Sequence, residues 1–180
     1  MENEALSEVL TSYDRASIRT AEPQGMRVMA SVVKDLYERE NVAEYGFVVA
    51  KLEKADNLVL GADGVACGAA FSKADGVHKV YNITDTDEIF TAALVNIPEN
   101  KASLETKLVF RPYVKLSDGK VMYGAKTQRS VLDVAKSIAY DSNADEEAKA
   151  VANRVLEICG YEFESDDEVF LPADSLFPEN

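Results

Sequence analysis

The chain has 180 residues, 47% of them hydrophobic and 28% charged, with a formal net charge of −13. That length gives one domain a full core and strains to give two, and the composition is that of an ordinary water-soluble fold. So acidic a surface repels phosphate backbones and anionic lipid headgroups, which argues against nucleic-acid partners, and no apolar run reaches the roughly 18–20 residues needed for membrane insertion.

The first residues (Met1, Glu2, Asn3, Glu4) are acidic where a signal peptide is basic. No signal peptide is expected in this chain, which is either the natural start of a protein made in the cytoplasm or one whose leader was removed. Ala5, Leu6, Val9 and Leu10 share one side of residues 2–12, so segment 1–14 reads as a short helix or an arm. Two alternating runs, Ala16–Thr20 and Met26–Val33, flank Glu22-Pro23-Gln24-Gly25, a hairpin punctuation. Residues 34–41 are charged and suit a loop or a single helical turn. Glu44–Ala50 is the next strand, and Gly46 within it signals a bulge or a close backbone approach. Periodicity leaves the Gly/Ala-rich residues 61–71 unassigned. Three Asp-Gly pairs (63–64, 75–76 and 118–119) supply the positive φ of tight turns. The second introduces a strand over Val77–Ile83; the third joins a strand ending at Leu116 to Lys120–Gly124.

The best-patterned stretch runs from Glu88 to Leu116 and reads as the spine of the fold. Phe90, Ala92 and Leu94 on one side, with Ile89, Ala93, Val95 and Ile97 on the other, describe a strand covered on both faces. After a short polar break, Leu108, Phe110, Val114 and Leu116 alternate with Lys107, Arg111, Tyr113 and Lys115, the pattern of a half-buried strand. Pro112 cannot donate to a ladder, so that strand is expected at an edge or bulged.

Beyond Gly124 the period becomes helical. Ser130 with Asp133 forms a capping signal ahead of Val131, Val134, Ala135 and Ile138. Asn143 with Glu146 forms a second, ahead of a stripe from Ala148 through Val151, Ala152, Val155 and Leu156 to Cys159, closed by Gly160. The expected fold class is α+β: an antiparallel β-sandwich-like core with two C-terminal helices packed on it, in a single domain over residues 15–160. Residues 161–180 hold seven acids and no base, with Phe163, Val169, Phe170, Leu171 and Phe177 interspersed. They form either a solvated tail or an arm that docks on its own core or on a neighbour.

Reactive clusters are scarce. His78 is the only histidine, so a nucleophile–base pair or a zinc site would have to be built on it alone. Gly61, Gly64 and Gly68 lack the helix and Lys-Ser/Thr of a phosphate loop. Asp141–Asp145 mimics the opening of a calcium loop, but Glu146 stands where the turn glycine belongs and Ala152 where the closing acid belongs; helix capping explains those residues. Asp85, Asp87 and Glu88 read as a solvated loop. Cys67 and Cys159 have no metal-ligand spacing; free thiols are the first reading and a disulfide between them the alternative. Tyr45, Tyr81, Tyr113 and Tyr123 are candidates for a sugar-stacking surface, although tyrosines fit a pleated surface without any ligand and the chain has no Trp. With 32 acids present, Arg19, Arg27, Arg111 and Arg129 are expected in internal ion pairs. No catalytic residue, metal or cofactor emerges, and an enzyme is not expected.

Several blocks form a familiar series: Ala16-Ser-Ile-Arg19 with Gln24-Gly-Met-Arg-Val28, Glu44-Tyr-Gly-Phe-Val-Val-Ala50, Thr91-Ala-Ala-Leu-Val-Asn-Ile97, Phe110-Arg-Pro-Tyr-Val-Lys115, Gly119-Lys-Val-Met-Tyr123 and Arg129-Ser-Val-Leu-Asp-Val-Ala135. In this order, over about residues 15–140, they resemble an uncharacterised module of surface and secreted proteins of Firmicutes, found beside immunoglobulin-like, S-layer-anchoring or dockerin segments. The resemblance carries over no catalytic residue and implies display and binding. A phage virion protein carrying such a module would account for the missing leader and for the extra helix and acidic arm. The expected function is therefore a non-enzymatic display or assembly module on a virion or on a bacterial cell surface. Its partners would be proteins or like subunits, with Phe163, Phe170, Leu171 and Phe177 as assembly contacts. The alternative is a carbohydrate-binding module that uses the four tyrosines on a glycan.

Overall fold

The structure, a computed structural model, describes residues 10–35 and 42–162, apart from the side chains of Asp14 and Arg15. In chain order its elements are β1 (Leu10–Arg19), β2 (Gly25–Val33), β3 (Val42–Lys51), a 3-10 helix (Leu52–Asn57), β4 (Ala66–Ser72), β5 (Val77–His78), β6 (Asn82–Ile83) and β7 (Asp87–Val95). Then come α1 (Lys101–Glu105), β8 (Leu108–Leu116), β9 (Val121–Tyr123), β10 (Thr127–Arg129), α2 (Val131–Tyr140) and α3 (Glu146–Cys159). One sheet has the order β1-β2-β7-β6; the other has the order β10-β8-β3-β4-β5, with β9 also beside β8. The fold is α+β, largely antiparallel and sandwich-like, with two C-terminal helices.

Residues 15–160, read from the sequence as one domain, divide between two compact units. Among the described residues, 10–14, 29–35, 42–92 and 108–128 make the first, and 15–28, 93–107 and 129–162 the second. β1 begins at Leu10, so residues 10–12 are strand where a short helix or arm was expected; residues 1–9 lie outside the described chain.

In the first unit the two sheets meet through aromatic rings. Tyr45 and Phe47 of β3 lie 4.8 and 5.4 Å, centroid to centroid, from Phe90 of β7, and Phe71 of β4 stacks on Tyr45 at 5.4 Å. The opposite face of β3 is also covered: Val48 and Ala50 join Val109 and Tyr113 of β8, Ala55 of the 3-10 helix and Leu58 in a second cluster. The strand buried on both faces is therefore β3. The Glu88–Leu116 stretch supplies β7 to one sheet and β8 to the other, and α1 stands in its polar break. Ala93, expected under cover, is exposed.

Two local signals explain the register. A Cβ on Gly46 would stand 2.1 Å from the Gly68 carbonyl oxygen, so only glycine lets β3 and β4 approach this closely. Their pairing shifts register between Tyr45 and Gly46, the expected bulge. Pro112, expected at an edge or bulge, lies instead in an interior strand, paired with Phe47. Its carbonyl accepts from Gly124 N at 2.9 Å, so its missing donor faces the gap between β9 and β10, where no ladder bond is lost.

In the second unit the stripes of α2 (Val131, Val134, Ala135, Ile138) and α3 (Ala148, Ala152, Val155, Leu156, Cys159) are buried. At ~1.5–3 kcal/mol for each fully buried large aliphatic side chain, these stripes hold the helices in place. Ser130 and Asp133 exchange both bonds of a capping box. The cap of α3 is Asp145, whose Oδ1 accepts from Ala148 N at 2.7 Å, rather than Asn143. Asp141 Oδ1 accepts from Asn143 N at 2.9 Å, so the calcium-loop mimic is a turn followed by a cap. Gly160 closes α3 in the left-handed conformation, φ 63°.

Candidate functional site

The sequence places Glu88 beside Asp85 and Asp87 in a solvated loop; the structure buries it, at 2% exposure, as the second residue of β7. The signal was present in the period of two, because Glu88 falls on the same side of the strand as Phe90. The Tyr45 hydroxyl donates to Glu88 Oε2 at 2.6 Å, and His78 Nε2 of β5 lies 3.8 Å from the same oxygen. The Phe71 ring meets the His78 ring edge-on at 5.4 Å. A carboxylate, a phenol and an imidazole thus converge. The carboxylate is enclosed by the sheet interface, whereas the His78 side chain is 42% exposed and stands beyond hydrogen-bond reach of it. A general acid or base must reach a substrate proton, and Glu88 is walled off from one. The Tyr45 hydroxyl satisfies this buried carboxylate and ties β7 to β3.

A second phenol–carboxylate pair lies on the other face of β3. Tyr113, fully buried, donates to Glu44 Oε1. Burial first, and then that bond, raise the Tyr113 pKa well above the ordinary phenol value, so the hydroxyl stays protonated as a donor. Nearby, Tyr123 Oη accepts from Leu60 N at 2.9 Å, and the Arg111 guanidinium lies 4.6 Å from the Tyr123 ring centroid.

These positions correct the sugar-stacking set. Tyr45 and Tyr113 have 0% exposure and no free ring face, and the pairing of Gly46 with Tyr113 puts the two on opposite sides of β3. Tyr81 and Tyr123 are half-buried. Phe163, Phe170, Leu171 and Phe177 lie outside the described residues. Cys67 is exposed and Cys159 buried, both as free thiols. Arg19 and Arg111 meet carbonyl oxygens (of Pro23 and Glu22, and of Gly124) where acids were expected. Among the described residues no three His, Cys, Asp or Glu side chains are grouped to hold a metal, and no helix is long and apolar enough to cross a membrane.

The second unit carries a concave feature that sequence patterning missed, an aliphatic cleft of about 50 Å³. Ile18 and Gly25 of the β1–β2 hairpin, Ile97 beyond β7, Leu104 of α1 and Val151, Val155 and Ile158 of α3 are among its walls. On its rim Arg154 Nη2 donates to Gln24 Oε1 at 2.6 Å and to Glu99 Oε1 at 2.8 Å. A periodic pattern marks the stripe of one helix, whereas this cleft is lined by the β1–β2 hairpin, residues 97–104, Val131 of α2 and α3.

No protein-family model matches the chain, and no curated protein matches it.

Proposed function

We propose that this chain is a non-enzymatic display or assembly module, exposed on a virion or a bacterial surface, whose working contacts are with like subunits or another protein. The observation that carries the reading is the use made of its buried polar side chains: Tyr45 with Glu88, and Tyr113 with Glu44, join strand to strand on the two faces of β3. Such pairs stabilise a shape. Two further features support it: an acidic surface that keeps separate copies soluble, and the ordered series of blocks shared with a surface-protein module. In this reading the N-terminal segment and the tail beyond Tyr161 contact neighbouring subunits. Deleting residues 162–180 then weakens association with partner particles or like subunits while the far-UV circular dichroism of the core is kept; unchanged association by the truncated protein refutes the reading.

A further inference from the structure

Resting on the like-subunit part of that reading, we propose that two copies of the chain join along the open edge of β4. Residues 65–69 of one copy pair antiparallel with residues 65–69 of the other, about a two-fold axis at Cys67. Among the described residues β5 is the strand on the outer side of β4, and it pairs only with Phe71 and Ser72. One further bond runs from Lys79 N to Ala70 O at 2.6 Å. Ala66, Cys67 and Gly68 lie short of that cover and are exposed. An edge strand presents unpaired N–H and C=O groups to a chain alongside, and folds commonly blunt it with lysine, proline or charge. Residues 64–72 hold no charged residue and no proline, so this edge is left ready to pair.

Charge selects a second copy as the occupant. The whole chain carries −13, yet residues 51–81 hold four bases and four acids. Two copies therefore approach each other here without the like-charge repulsion that acts elsewhere on so acidic a chain. The charges are also sorted along the strand. Residues 51–63, which lead into β4, hold three acids and two bases; residues 73–79, which leave it, hold two bases and one acid. Antiparallel pairing about a two-fold axis brings the acidic end of each copy to the basic end of the other, and does so twice.

The neighbouring strand β5 selects the register. A two-fold axis perpendicular to a sheet sets one residue opposite its own copy. With Gly68 in that place, Ala66 would face Ala70, whose carbonyl already accepts from Lys79 N. With Cys67 in that place, residues 65–69 suffice: Cys67 faces Cys67, Ala66 faces Gly68 and Val65 faces Ala69. These pairs are small enough to lie side by side, and a Cβ on Gly68 would meet nothing within 4 Å of its own chain. Asp63, 96% exposed beside Lys54 of its own chain, then falls level with Phe71 of the second copy, alongside the exposed Lys79.

The test treats the full chain with diamide, which oxidises two thiols to a disulfide as it is itself reduced to the hydrazine, and maps the products by mass spectrometry of unreduced peptides. Residues opposed across antiparallel strands have Cβ atoms about 4.5–5.5 Å apart, close to the span of a disulfide. A Cys67–Cys67 bond between chains is expected, and Cys67→Ser should abolish it. Sedimentation equilibrium without oxidant reads the charges: Asp63→Lys and Lys79→Glu should each weaken dimerisation roughly fivefold, and the double variant, which exchanges the two signs, should restore it. Circular dichroism confirms that each variant folds; if Lys79→Glu does not, Asp63→Lys carries the test. A chain that stays monomeric, a dimer without the Cys67–Cys67 bond, or a dimer indifferent to both single changes overturns the proposal. If the bond fails to form while deleting residues 162–180 weakens association, only this edge is lost; if the bond forms and the deletion changes nothing, the edge stands and the tail contacts fall.

Discussion

Tyr45→Phe removes one oxygen from a ring that otherwise keeps its place, and so isolates the bond between the two sheets of the first unit. The hydroxyl lies 2.6 Å from Glu88 Oε2, with both residues at 2% exposure or less. A hydrogen bond to a charged group contributes about 1.5–3 kcal/mol, and stranding the remaining partner moves the cost toward the upper figure. His78 Nε2, 3.8 Å from that oxygen, is beyond hydrogen-bond reach of it. A loss of about 3 kcal/mol corresponds to a fall in Tm of roughly 6–12 °C in a chain of this size. Glu88→Leu should also destabilise, by stranding the hydroxyl, whereas the double variant leaves neither partner unmet. The cycle should therefore show a coupling of about 2 kcal/mol or more. Urea titration followed by far-UV circular dichroism is the suitable assay, since the chain has no Trp. A cost below about 0.5 kcal/mol for Tyr45→Phe, or additive single effects, would refute the clasp.

Gly46→Ala should cost about 3 kcal/mol or more by forcing β3 from β4, whereas Gly68→Ala, with nothing within 4 Å of its new Cβ, should stay within about 0.5 kcal/mol; equal melting temperatures for the two would contradict the close approach. Ser130→Ala should cost about 1 kcal/mol through the lost cap of α2, read as a lower urea midpoint. Burial pushes the Asp133 carboxyl up, but the Lys107 ammonium at 2.5 Å and the Ser130 backbone N–H outweigh it and hold the pKa below the usual value. The folded-state pKa is depressed, so its stabilisation is present above the unfolded value of about 3.9 and is lost as pH falls through the folded one. Asp133→Asn should flatten that acid limb of a stability-against-pH curve; an unchanged limb would remove Asp133 from the account.

Local chemistry was legible wherever a residue has one conformational use. Gly46 marked the bulge, Asp118-Gly119 marked the β8–β9 hairpin and Gly160 marked the end of α3, because each needs space or a positive φ that other residues resist. Partner choice was not legible. Val77–Ile83 reads as one strand, yet Lys79 N bonds Ala70 O while Tyr81 N bonds Ile89 O, so the segment is divided between the two sheets. The pattern within seven residues does not record which strand lies alongside. Tyr45 and Tyr113 looked half-exposed by alternation, because nothing local to them announces that β3 is covered on both faces. Asn143 and Asp145 are both competent caps, and the turn made by Asp141 decides between them. The cleft was the least visible of all, being assembled from a hairpin, a loop and three helices.

Sedimentation velocity of the full chain and of the chain lacking residues 162–180, run over a dilution series, tests the assembly claim most directly. The account predicts that the full chain associates with increasing concentration and that the truncated chain needs about tenfold more protein or greater to do so, a difference of ~1.4 kcal/mol, with its core spectrum unaltered. Superimposable sedimentation profiles for the two proteins would contradict it.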